Sequence, residues 1–139
     1  MKRLFALLLA GLLVLTACGT DGKQAQEKEA YNLEGEWKQV NSQSDDTWQN
    51  AVIKDGEITI NWITDNGDTS SLYWAGTYDA PKEYSEIYKW ESKNDKSKTE
   101  TALLASTSET KEFSFDGKQL SYEASAMGTT TTVKLERVK

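Results

Sequence analysis

The chain has 139 residues, with 22 acidic against 16 basic side chains for a formal net charge of −6, no histidine and one cysteine. This balance argues against nucleic acid or anionic lipid headgroups as partners, since both demand basic patches. The missing histidine removes the commonest zinc ligand and the commonest general base at neutral pH, so no metal or other cofactor is expected.

Met1-Lys2-Arg3 is a short positive start, Leu4 to Leu15 is an almost unbroken apolar run, and Thr16-Ala17 supplies small residues before Cys18. That is the layout of an export signal. The apolar run falls short of the about 20 residues a membrane-spanning helix needs. From the residues alone, a cleaved signal with an incidental cysteine and an uncleaved anchor both stay open. Leu15-Thr16-Ala17-Cys18 resembles the lipobox of bacterial lipoproteins. The resemblance implies that residues 1–17 are removed and that Cys18 becomes the first residue, carrying a diacylglyceryl group on its thiol. Its partner would then be the membrane, and the protein would sit on the extracytoplasmic face.

Gly19 to Ala30 reads GTDGKQAQEKEA, with no apolar residue larger than alanine. Such a segment buries too little surface to offset its ordering entropy, so residues 18–30 are expected to be a tether. A flexible chain of this length holds a domain on the order of 20 Å from the bilayer.

From Tyr31 the dominant period is two, which places residues 31–139 in one all-β domain. Ile58, Ile60 and Trp62 alternate with polar residues in EITINWI, and Leu72, Trp74 and Gly76 repeat the pattern in SLYWAGTY. Strands are expected near 33–40, 48–54, 57–64, 70–78, 84–91, 99–106, 110–115, 118–125 and 129–138. Asp55-Gly56, Asn66-Gly67 and Asp116-Gly117 suit tight hairpins, and Asp79-Ala80-Pro81-Lys82 makes a looser corner. Short connections between sequence neighbours favour an antiparallel up-and-down barrel of eight or nine strands, because closure hides the edges.

The tryptophans Trp37, Trp48, Trp62, Trp74 and Trp90 fall one to a strand. Trp37, Trp62 and Trp74 are expected in the core, where an aromatic buries about 150–250 Å². Tyr84, Glu86, Tyr88 and Trp90 share one face of their strand and form the candidate ligand-binding set. That face is expected inward, which would bring Glu86 inside and demand a partner for its carboxylate.

Leu33-Glu34-Gly35-Glu36-Trp37 reads as L-x-G-x-W and resembles the opening of lipocalin and related calycin barrels, as found in small lipoproteins of Gram-positive bacteria and their prophages. The resemblance covers that motif, the domain length and the meander. It implies a lipocalin-like barrel in which Gly35 and Trp37 are structural and the indole lies across the closed end. Arg137, in the last strand, is placed to pack on Trp37.

The carboxylates at Asp45-Asp46, Asp65, Asp68, Glu109 and Glu112 lie mostly in polar turns and read as solvated acids, not as an acid–base pair. Lys93 to Lys98 reads as a solvated hairpin tip. Without an activator for its hydroxyls, the chain is expected to be no enzyme. The expected function is a surface-displayed binding or protein-interaction module, with a small apolar or glycan ligand, or an envelope or phage protein, as partner. The alternative is an inhibitor of a cell-wall enzyme or a cryptic carboxylate-dependent hydrolase.

Overall fold

The computed structural model describes residues 28–126 and 128–139. The expected signal peptide (1–17), Cys18 and most of the tether (18–30) lie outside the described residues. The domain is one sheet of eight antiparallel strands: β1 (Gly35–Gln39), β2 (Trp48–Lys54), β3 (Glu57–Thr64), β4 (Thr69–Thr77), β5 (Tyr88–Lys93), β6 (Thr110–Phe115), β7 (Gln119–Ala126) and β8 (Thr129–Arg137). Their order in the sheet is β4-β3-β2-β1-β8-β7-β6-β5, so each ladder joins sequence neighbours except β1 with β8, which joins the two halves. The result is the expected all-β, up-and-down barrel, nearly closed.

The hairpin between β2 and β3 turns on Asp55 (φ 50°) and Gly56 (φ 76°), the pair of positive angles that matches the twist of two strands. Between β4 and β5, one bridge, Gly76 with Asn94, takes the place of a ladder. Polar contacts complete that seam: the Trp74 indole donates to Ser92 Oγ (3.0 Å) and the Trp90 indole to the Thr77 carbonyl (3.0 Å). A Cβ at Gly76 would lie 2.4 Å from Ser92 Oγ and 2.6 Å from the Lys93 carbonyl, so only glycine lets the two strands approach.

Two expected strands are corrected. Residues 99–106 form no strand: Asp95 caps a single helical turn, α1 (Lys96–Thr99), and the chain then folds back along β4, where Ser106 N–H donates to the Tyr73 carbonyl (2.8 Å). Leu103 and Leu104 lack the alternation that would bury one of them, and both are exposed. The strand expected at 84–91 starts only at Tyr88.

The interior is filled by side chains. Leu33, Trp37, Ile53, Ile58, Ile60, Trp74, Phe113, Leu120 and Leu135 are all fully buried in one cluster. Phe115 meets the Trp37 ring edge-on at 5.5 Å, and Phe113 stacks on Trp90 at 4.9 Å. Trp62 faces the same interior near the opposite mouth, half-buried against Tyr73 at 5.6 Å.

Arg137 closes the end at which β1 begins. Its guanidinium lies 4.7 Å from the Trp37 ring centre and donates to the carbonyls of Asn32 (2.7 Å) and Glu34 (2.6 Å). Trp37 in turn donates to the Leu33 carbonyl. A Cβ at Gly35 (φ 136°) would come within 2.8 Å of the guanidinium, so the glycine of the opening motif makes room for the arginine. The planar fork of Arg137 thus joins first strand to last across the indole.

Candidate functional site

The four residues singled out on the strand from Tyr84 to Trp90 separate in the structure. Trp90 is buried, stacked between Phe113 and the Tyr88 ring at 5.9 Å, and is therefore core. Tyr88 is half-buried and its hydroxyl donates to the Asp79 carbonyl. Burial and the Asp79 charge push its phenol above the usual range. Tyr84 meets Tyr31 edge-on at 5.5 Å, beneath the Lys28 ammonium. Glu86 is exposed, which corrects the expectation that it is enclosed.

The reason is local. Alternation put Glu86 on the Trp90 face, but alternation holds only within a strand, and Tyr84 to Ile87 belong to the irregular connection that wraps the barrel end after Pro81. Tyr84 and Tyr88 do line one open hollow of about 800 Å³, together with Tyr78, Pro81 and Lys82. Glu86 and Trp90 do not line it. It is a shallow aromatic surface where the chain enters the domain, not an internal cavity.

A second region, which the sequence reading missed, lies between β6 and β7. These strands are joined by a tight turn in which Asp116 N–H donates to the Gln119 carbonyl, while Asp116 Oδ1 accepts from the N–H groups of Lys118 and Gln119. Those two bonds hold the Asp116 carboxyl below its usual range. Pairing then stops after Phe115 with Leu120 and Ser114 with Ser121. By contrast, β6 pairs with β5 from Thr110 to Phe115, and β7 pairs with β8 along all of Gln119 to Ala126. The sheet is therefore split at one place, upward from Ser114.

Extending the register would set Glu112 opposite Glu123, both exposed, and like charges directly opposed weaken a pair. The split holds Lys111 instead. Its ammonium donates to the Glu123 carbonyl (2.9 Å) and to the Tyr73 hydroxyl (3.0 Å), lying 5.1 Å from the Tyr73 ring and 5.3 Å from that of Trp74. Around it opens a hollow of about 480 Å³, walled by Thr110, Glu112, Ser114, Ser121, Glu123 and Ser125.

Tyr122 reaches from this hollow into the barrel and donates to Gln49 Oε1. Burial pushes its phenol well above 10.0. Gln49 is fully buried, and its Nε2 has no hydrogen-bond partner among the described residues. The upper interior is thus polar and aromatic, whereas the end beneath Trp37 is dry. The signal for this region was present in the sequence as an odd lysine at an inward position of β6 and as two glutamates placed symmetrically about the Gly117-Lys118 bond of the turn.

The acids expected to be solvated are exposed, and all but Glu112, which lies in β6, are in turns or connections. Asp46 is held below its usual range by the Ser44 hydroxyl, and Asp65 accepts from Thr69. Among the described residues no group of three or more His, Cys, Asp or Glu side chains is placed to hold a metal ion. Lys96 pairs with Glu109 across the β5–β6 connection. No helix of the described residues is long and apolar enough to cross a membrane. No family model, curated protein or solved structure matches the chain.

Proposed function

We propose that this protein is a lipid-anchored interaction module: a lipocalin-like barrel attached through Cys18 to the outer face of a cell membrane, which recognises its partner with its outer surface and not with an internal ligand cavity. The single observation that carries the recognition half is the filled interior. Trp37, Trp74, Phe113 and their aliphatic neighbours occupy the space where a carrier barrel of the same kind would hold its cargo. The hollows walled by Glu112 and Glu123, and by Tyr84 and Tyr88, both open on the surface.

The anchoring half rests on Leu15-Thr16-Ala17-Cys18 and the apolar run before it. The likeness to calycin barrels rests on Gly35 and Trp37 of the opening motif and on the meander, and the packing of Arg137 on Trp37 at the closed end supports it. Labelling cells with palmitate tests the anchor: lipid should enter the native chain and not a Cys18→Ala variant, and equal incorporation would refute it. A thermal-shift screen of the protein against fatty acids tests the recognition half. No stabilisation is expected, and a saturable rise in melting temperature would instead make it a carrier.

A further inference from the structure

The geometry points to the split between β6 and β7 as a strand-accepting site for an extended, basic segment of a partner polypeptide. This inference rests on the interaction reading above and names its site and its partner class.

Two independent features of the split select that occupant. The first is backbone chemistry. In an antiparallel ladder, consecutive residues point their N–H and C=O groups to opposite neighbours. The Asn94 N–H donates to the Glu109 carbonyl, which turns Lys111, Phe113 and Phe115 toward β5 and leaves Thr110 and Glu112 facing β7. No ladder pair covers Thr110 or Glu112 on that side. Across the split, the Asp116 N–H donates to the Gln119 carbonyl, and the same alternation along β7 turns Glu123 and Ser125 toward β6. Lys111 has already taken the Glu123 carbonyl, so of the two edges only that of β6 keeps all its N–H and C=O groups on this side unclaimed. Unpaired N–H and C=O groups at alternate residues of a strand are the template to which another strand adds, and a few residues of extended chain are their natural complement.

The second feature is charge. The outer rim carries Glu112 on one side and Glu123 on the other, both exposed. Lys111, the cation of the hollow, points down toward Tyr73 and Trp74, away from that rim. A lysine or arginine on the outward face of the incoming strand would sit between the two carboxylates and relieve the repulsion that keeps β6 and β7 apart. The hydroxyls of Thr110, Ser114, Ser121 and Ser125 complete a polar wall, so the accepted segment carries small polar residues between its basic ones.

The test is titration of the full-length chain with an octapeptide of alternating lysine and threonine, followed by residue-resolved amide hydrogen exchange and chemical shifts. The control is the same peptide with its two central lysines methylated on the backbone nitrogen, which removes the N–H groups that would face β6 in an antiparallel pairing and changes no charge. The expected result is saturable slowing of exchange at Thr110 and Glu112, with the N-methylated peptide at least tenfold weaker. Glu112→Gln with Glu123→Gln should weaken the native peptide about three- to tenfold. Equal binding of both peptides would overturn the proposal, because the acidic surface would then be attracting any polycation. Slow exchange at these amides without peptide would also overturn it: if independent of dilution, the chain's own tether fills the split, and if lost on dilution, a second copy does. A negative result here together with palmitate entry at Cys18 would leave the anchored module standing without this site.

Discussion

The β3–β4 and β6–β7 hairpins are both tight connections between antiparallel neighbours in one sheet, yet the first pairs from Glu57 with Thr77 to Thr64 with Thr69, and the second only at Ser114 and Phe115. In β3–β4 the facing pairs are Ile58 with Gly76 and Ile60 with Trp74, whose apolar groups gain by closing together. In β6–β7 the next facing positions are Phe113 with Tyr122, whose rings meet inside the barrel at 5.2 Å, and then Glu112 with Glu123, beyond which lies Lys111, seated on aromatic rings. Backbone geometry permits closure in both. Side-chain chemistry decides that one closes and the other stays open.

The comparison breaks most severely at the dry end. Trp37→Ala should cost about 3–5 kcal/mol in a denaturant titration, because a fully buried indole leaves a cavity that Phe115 and Leu135 cannot refill. If that loss is under about 1 kcal/mol, the interior is not the source of stability that its packing implies.

Tyr122→Phe probes the polar end, where it strips the only described donor from the buried Gln49 Oε1; a loss of about 1–3 kcal/mol is expected. The same phenol sets an alkaline limit. Burial favours its neutral form, so its folded pKa lies above the unfolded value of 10.0. Its contribution is complete below about pH 10 and is lost as pH rises toward the folded pKa. Tyrosinate absorbance should therefore include a step that coincides with unfolding in the native chain and is smaller by one tyrosine in the variant.

Arg137→Lys sharpens the account of the closed end. A lysine keeps the charge but cannot donate a planar fork to both Asn32 and Glu34, so about 1–2 kcal/mol should be lost. Recovery of full stability would show that charge alone is what the position needs.

The smallest effect runs the other way. Glu112→Thr with Glu123→Thr replaces opposed charges by β-branched residues and should raise stability by about 0.2–1 kcal/mol as the split narrows. A decrease would mean that something other than the paired glutamates holds the strands apart.

These contrasts also show what was legible beforehand. The period of two located β2, β3 and β6 to the residue, because each is bounded by turn residues and buries alternate side chains. Arg137 on Trp37 was foreseeable because a motif fixed one partner and the chain end fixed the other. The segment 99–106 was not, since Leu103 and Leu104 are apolar residues that the fold leaves in water. Glu86 was misplaced because strand alternation was carried through a connection that has none. The split was hidden for a different reason: it depends on which residues face one another across a turn, and that register becomes visible only when both strands are placed.

The most direct test of the central claim, that β6 and β7 part above Ser114, is amide exchange in the free protein. The amides of Thr110, Glu112 and Glu123 should exchange at least a hundredfold faster than those of β3–β4, while Ser114 and Ser121 stay protected. Uniform protection across both hairpins would contradict the account, for it would mean that the barrel wall is continuous where the structure shows it divided.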